Sequence, residues 1–219
     1  MTDWATLDGE RILTGSVTVP RVGAWVADVS LAMSASVSGR VALVVGSLSL
    51  VGSIVRAGTY GGSRAYRIVG GAGGWRKPLQ ARAYASAGGV SSSMVIGDAA
   101  SETGETVAVT APVYLGTSYV RFAGVASRVL ASIAPDWWID ASGVTQVGTP
   151  RDASMIASES TLTAMDGAAG IVELATEDEG AYMPGRVFAN PLVTLPRIIS
   201  SSRFHFDRDG RSRVEILTA

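Results

Sequence analysis

Residues 10–70 restrict the fold more than any other part of this chain, because short apolar stretches alternate there with glycine turns at regular spacing. Ile12, Thr14, Ser16 and Thr18 fall opposite Leu13, Val17 and Val19 on an extended strand. Trp25, Ala27, Val29 and Leu31 share one face of the next strand. Val41 to Val45 is almost continuously apolar; Gly46-Ser47 makes a turn, and Leu48, Leu50 and Ile54 alternate with small or polar residues. Gly58-Thr59-Tyr60-Gly61-Gly62 marks another turn before Ala65 to Val69. Short strands at this spacing predict a small barrel or sandwich.

The stretch Arg67-Ile68-Val69-Gly70-Gly71-Ala72-Gly73-Gly74-Trp75-Arg76-Lys77-Pro78 superficially resembles a phosphate loop. Its glycines match neither the dinucleotide spacing nor the Gly-Lys-Ser/Thr spacing, and Pro78 interrupts a helix starting there. Glycine permits positive φ and close backbone approach. The run therefore reads as a tight exit from a β-domain, with Trp75 anchoring the next segment.

Beyond Trp75 the texture changes. Ala81 to Tyr84 suits a short strand, and Val90 to Thr103 a helix with Val90, Met94, Val95 and Ala99 on one face, ended by Gly104. Val107 to Val109 and Val113 to Leu115 suit strands. Phe122, Val125, Ala126, Val129, Leu130 and Ile133 form the stripe of a second helix, ended by Pro135. Trp137 to Asp140, a turn over Asp140-Ala141-Ser142-Gly143, and Val144 to Gly148 form a hairpin. From Pro150 strands return at Ile171–Ala175, Val187–Ala189, Leu192–Ser200 and Val214–Leu217, with Phe204 to Arg213 as a charged hairpin tip. The expected fold is mainly β with an inserted α+β module. Residues 1–75 and 150–219 together build a small barrel-like β-domain, and residues 76–149 form the insertion.

Composition narrows the function. Eighteen basic and nineteen acidic residues give a formal net charge of −1, unlike a dedicated nucleic-acid binder. Lys77 is the only lysine; the other bases are arginine, which suits bidentate interface contacts. Without cysteine, disulfides, thiol catalysis and thiolate metal sites are excluded. Met1-Thr2-Asp3-Trp4 shows no signal-peptide pattern. The run from Val41 to Val55 falls short of the roughly 20 residues a membrane span needs, so no membrane insertion is expected.

Candidate chemistry is sparse. His205, the single histidine, sits between Phe204 and Phe206 without a triad order beside it. Asp207, Asp209 and Gly210 lack the spacing and closing glutamate of a calcium loop. Glu173, Glu177, Asp178 and Glu179 form an acidic patch, read as a solvated loop or as an interface for another subunit's arginines; a glycosidase would need two such carboxylates across a groove. Glu102 and Glu105 flank Gly104 and read as surface residues. Trp137 and Trp138 could stack on sugar, although core and rim positions fit them better. Trp25 reads as core. No catalytic residue, cofactor or metal site is assigned, and Arg56, Arg64, Trp4 and Arg186 are the candidate interface residues.

The order of segments resembles the hub and hub-like proteins of bacteriophage tail baseplates. The resemblance rests on Gly39-Arg40-Val41 through Val55-Arg56 and the glycine turn into Trp75-Arg76. It continues through Tyr84 to Val90 with Gly97 to Glu105, then Arg128-Val129-Leu130 before Trp137-Trp138-Ile139-Asp140 and Gly143-Val144-Thr145. Met183-Pro184-Gly185, the strand to Ile199 and the closing Arg213-Val214-Glu215-Ile216 complete it. The resemblance implies a non-enzymatic structural part of a virion, assembled in the host cytoplasm. Hubs of this family commonly form a homotrimer ring that joins a tail tube or distal tail protein to a central spike protein, beside baseplate wedge proteins, with DNA only as passing cargo. Many hub proteins are longer, and a short version could serve as another baseplate adaptor. The alternatives are a tail-associated cell-wall hydrolase and a carbohydrate-binding module of the tail tip.

Overall fold

A computed structural model describes residues 4–151, 153–156, 159–190, 196–208 and 212–218. Six strands come first: β1 (Ala5–Leu7), β2 (Glu10–Pro20), β3 (Val26–Ala32), β4 (Arg40–Val45), β5 (Leu48–Tyr60) and β6 (Ser63–Gly70). They pair antiparallel in the order β1-β4-β5-β6-β3-β2, and β1 also pairs with β2, which closes a six-stranded barrel. Closure removes the exposed edges that an open sheet would carry. The inward row is the one the alternation predicts: Trp25, Ala27, Val29 and Leu31 are all buried. On β2 the expected faces do not hold. A bulge between Ile12 and Thr14 shifts the register, so Ile12 joins Val17 and Val19 in the core.

The middle segment contains β7 (Pro78–Leu79), β8 (Arg82–Ala85), α1 (Ser92–Thr103), β9 (Val107–Val109), β10 (Ser118–Arg121), β11 (Gly124–Val125), α2 (Ser127–Ile133), β12 (Trp137–Ile139) and β13 (Thr145–Val147). Its strands form small separate sheets: β8 with β10, β7 with β11, and β12-β13-β9. Ser91 caps α1 by accepting from the Ser93 N–H, and Gly104 ends it at φ 81°. The buried face of α1 is Val95, Ile96, Ala99, Ala100 and Thr103, while Met94 points outward. Helix α2 is shorter than the apolar stripe suggests. Gly124, at φ 154°, pairs with Leu79, so Val125 is strand and Phe122 stands exposed. Val113 to Leu115 is not a strand; β10 lies a few residues later.

The last segment adds β14 (Thr161–Asp166), β15 (Ile171–Ala175), β16 (Val187–Phe188), β17 (Arg197–Asp207) and β18 (Ser212–Thr218). Strand β17 pairs with β2, and the sheet continues through β18 and β15 to β14. The outer thirds of the chain therefore share one sheet. The closed ring itself uses strands of the first third, and the later strands extend it from β2. Phe204 and Phe206 are not at a hairpin tip: both are buried in β17, and the turn comes after Asp207. Asp209 and Gly210 lie outside the described residues, as do residues 191–195 of the strand expected over Leu192–Ser200. No helix among the described residues is long and apolar enough to cross a membrane.

Candidate functional site

The glycine run does cradle an anion, and that anion belongs to this chain. Gly71 (φ 72°) and Gly73 (φ 74°) curl the backbone so that successive amides converge. Glu105 fills the concavity. Its Oε2 accepts from the Ala72 N–H at 3.0 Å, and its Oε1 from the Gly74 N–H at 2.5 Å and the Trp75 N–H at 3.3 Å. The residue is only 8% exposed, so the surface role expected for Glu105 is overturned. Its one sequence signal is an acid directly after a helix-ending glycine, which marks too many surfaces to be informative. Around this junction the Trp75 Nε1–H donates to Thr145 Oγ1 at 2.7 Å, and Lys77 Nζ donates to the Thr103 carbonyl at the end of α1 at 2.8 Å. The Ala72, Gly74 and Trp75 amides are thus taken by Glu105 rather than offered to a phosphate. The loop clamps the barrel to the middle segment.

Glu102 is exposed, as expected of a surface residue, and accepts from Nη2 of the buried Arg121 at 2.9 and 3.0 Å. Trp25 lies fully in the core. Trp137 is buried, while Trp138 carries Arg151 over its ring at 4.5 Å and donates from Nε1 to the Thr149 carbonyl at 3.0 Å. One face of Trp138 is therefore already covered. Burial pulls the Arg151 guanidinium down to about 10, against the attraction of Asp140.

The outer face of the sheet is polar. Pairing brings Arg56, Arg67, Asp28, Ser16, His205 and Arg213 into one row across β5, β6, β3, β2, β17 and β18. Asp28 is held bidentately by Arg67, Oδ1 on Nε and Oδ2 on Nη2, each at 2.8 Å. A groove of about 650 Å³ runs along this row and reaches Tyr60. Ser16 stands beside His205 here, a juxtaposition no local pattern could reveal. The His205 side chain makes no hydrogen bond among the described residues, and the serine lies between the histidine and Asp28, whereas a hydrolytic triad needs the histidine in the middle. Burial, then Arg213 and Arg203, hold the imidazole below its ordinary pKa.

The candidate interface residues separate into two regions. Arg56 and Arg64 stand on the hairpin of β5 and β6, whose tip residue Tyr60 is 83% exposed. Arg56 lies on the outer face; Arg64, paired with Leu31, is on the face toward the barrel mouth. Trp4 is half-buried, packs edge-on to Phe206 at 6.3 Å, and lines a second groove of about 970 Å³. That groove gathers Glu159, Glu177, Asp178 and Glu179. Glu173 is elsewhere, on the outer face of β15 within 3.4 Å of Arg213, so the acidic patch seen in sequence divides in two. Asp178 accepts from Ser47 Oγ at 2.7 Å, whereas Glu179 is wholly buried. Arg186 donates to the Ala181 carbonyl at 3.0 Å, behind the short 3-10 turn Glu179–Tyr182. Among the described residues no group of three or more acids and histidines could hold a metal.

No protein-family model matches the chain, and no curated protein matches it by sequence. Solved structures do. A tail protein from Neisseria meningitidis MC58 superposes with a TM-score of 0.67 over 98% of this chain and 94% of its own, at 14% identity. The 43 kDa tail protein of prophage MuSo2 from Shewanella oneidensis gives 0.63 over 98% and 96%, at 9% identity. This chain has a tail-protein fold. The Escherichia coli c3393 protein gives 0.63 over 98% of this chain and 74% of its own, at 12% identity. It is described as a component of the type VI secretion system with structural similarity to the T4 bacteriophage tail proteins gp27 and gp5. That is the fold which the resemblance to hub proteins implied.

Proposed function

We propose that this protein is a structural subunit of a phage-type tail, a baseplate hub that joins tail tube to spike. The observation that carries this reading is the fold itself: a closed barrel continued by an open sheet, shared along nearly the whole chain with tail proteins. Its action is assembly. Copies of the chain form a ring, with three-fold symmetry toward a central spike protein and the opposite face toward a tail tube or distal tail protein. Wedge proteins dock outside, and DNA passes through the lumen as cargo. The protein then resides in the virion after assembly in the host cytoplasm. Residues 1–75 and 150–219 carry the ring-forming β-domain, and residues 76–149 the inserted module. Arg56, Arg64, Trp4 and Arg186 are the interface residues of this reading.

Electron microscopy of the purified chain, alone and co-expressed with the tail proteins encoded beside it, tests the proposal. Rings of three copies, stacked on a tube or spike partner, are expected. A chain that stays monomeric, binds no tail protein and cleaves peptidoglycan overturns it.

A further inference from the structure

The ribbon of β8 and β10 reverses the usual order of an antiparallel sheet. Such a sheet turns its apolar side inward and its polar side to water. Here Arg121 is 2% exposed and held by Glu102 of α1, while Phe122, the next residue, is 82% exposed. Only Arg121 Nη2 finds partners; Nε and Nη1 are buried without any. A one-residue slip would bury the ring and free the guanidinium. The lone chain thus keeps a costly side inward and an apolar side in water. That arrangement is the one expected when the outer side is covered as well.

The outer side is a continuous row. Ser118 and Val120 stand opposite Ala85 and Ala83, and period two places Phe122 and Ala81 on the same side. The ladder runs on before β10, with the Leu115 N–H donating to the Val90 carbonyl and the Ser92 N–H to the Val113 carbonyl, so Tyr114 joins the row. The Tyr114 ring occupies the space that a side chain on Gly89 would fill. Tyr114 is 67% and Val120 48% exposed, and all three alanines are exposed. Residues 110–127 contain one charged residue, the buried Arg121. Arg82, at the edge of the ribbon, is paired with Asp98 and Glu102.

Charge and area choose the occupant of this face. The outer barrel face carries its row of arginines and acids, and the groove at Trp4 is acidic, so neither matches an uncharged sheet face. The same ribbon on a second copy does. Phe122 and Tyr114 leave roughly 300 Å² free, taking about 200 Å² for each aromatic side chain. A standard contact buries about 800 Å² per partner, of which a little over half, about 450 Å², is apolar. Val120 and the exposed alanines supply the rest, so the face has the apolar area that one side of a stable dimer needs.

We infer that the outer face of the β8–β10 ribbon is a two-fold contact between two copies of this chain, with Val120 and Phe122 of each packed on the ribbon of the other. A face that matches itself presents the same residues on both sides. The contact goes beyond the ring reading: it joins copies in pairs, adds to a ring and does not require one.

Sedimentation velocity of the purified full-length chain tests this. Wild type is expected to associate in twos, as pairs of chains or, where rings form, as pairs of rings. The double variant Val120→Thr with Phe122→Ser exchanges two exposed side chains, so it should keep the wild-type melting temperature in dilute solution. Its pairing should weaken at least about tenfold, as for loss of a central aromatic anchor. Met33→Thr, which removes an exposed methionine elsewhere, should leave pairing unchanged. Because the chain has no cysteine, Ser118→Cys gives one thiol per chain on this face. Packed sheets lie about 10 Å apart, so a short bis-maleimide should join two copies, and should no longer do so when Val120→Thr and Phe122→Ser are added. Pairing undiminished in the double variant overturns the inference, and so does an equal loss with Met33→Thr. Pairing that is lost without any link through Ser118→Cys puts a different surface on the ribbon and overturns it as well. A wild-type chain that is monomeric at every concentration overturns it too. Single rings of three that never pair overturn it and leave the ring reading standing.

Discussion

Replacing Glu105 with glutamine leaves the shape of the junction unchanged and removes its charge. The wild-type carboxylate receives three backbone N–H groups on two oxygens, all within 3.3 Å, at a site 8% exposed. Glutamine offers one acceptor. If its oxygen faces Gly74 and Trp75, its amide points N–H at the N–H of Ala72; the flipped amide abandons two bonds instead of one. Each charge-assisted bond contributes about 1.5–3 kcal/mol, and an orphaned buried donor costs about 1–3 kcal/mol. The substitution should therefore destabilise by about 2–4 kcal/mol. For a chain of this size each kcal/mol shifts the midpoint by about 2–4 °C, so Glu105→Gln should lower the melting temperature by at least about 4 °C. Calorimetry of the purified variant beside wild type and beside the exposed-site control Glu177→Gln measures this. A Glu105→Gln variant melting within about 1 °C of wild type would refute the anion-cradle account of the glycine run.

Three further outcomes follow from neighbouring contacts. Gly74→Ala places a Cβ 2.4 Å from the Thr103 carbonyl oxygen, a rigid backbone atom, and should destabilise by about 1–3 kcal/mol in urea titration. Trp75→Phe removes the buried bond to Thr145 Oγ1 and leaves that hydroxyl without its donor; a loss of about 1–3 kcal/mol is expected, partly recovered in the double variant with Thr145→Val. His205 has a folded-state pKa held below its unfolded value near 6.5, so the fold favours the neutral ring. Its contribution is present above the unfolded pKa and is lost as pH falls through the folded pKa. The stability of His205→Gln should thus decline less than that of wild type from pH 7 to 5, and equal slopes in denaturant titrations would show that the ring is not being desolvated.

Much of the architecture was legible where one local rule decides. Alternation placed Trp25, Ala27, Val29 and Leu31 on one buried face because a strand side chain has a period of two. Gly46-Ser47 and residues 140–143 turn where their residue types allow it, and Gly104 ends α1 for the same reason. Locality also explains the errors. Phe122 and Val125 continue the helical stripe of α2, but pairing of Gly124 with Leu79 holds that stretch extended. The bulge at Ile12 is a property of the β2–β3 pair and cannot be seen in either strand alone.

The sequence by itself determined a β-rich chain with a short helical insertion, a tight glycine exit turn at residues 70–74, and no cysteine chemistry. It did so because periodicity, turn preference and side-chain reactivity belong to residues a few positions apart. Only the tertiary structure decided which strands close the barrel, that Glu105 fills the glycine turn, and that Glu179 lies buried beneath an acidic groove with one oxygen unsatisfied. Those outcomes depend on partners distant along the chain, such as Ser16 beside His205 and Glu179 beside Gly46. Long-range pairing is selected by the packing free energy of the whole sheet, and no short window of sequence carries it.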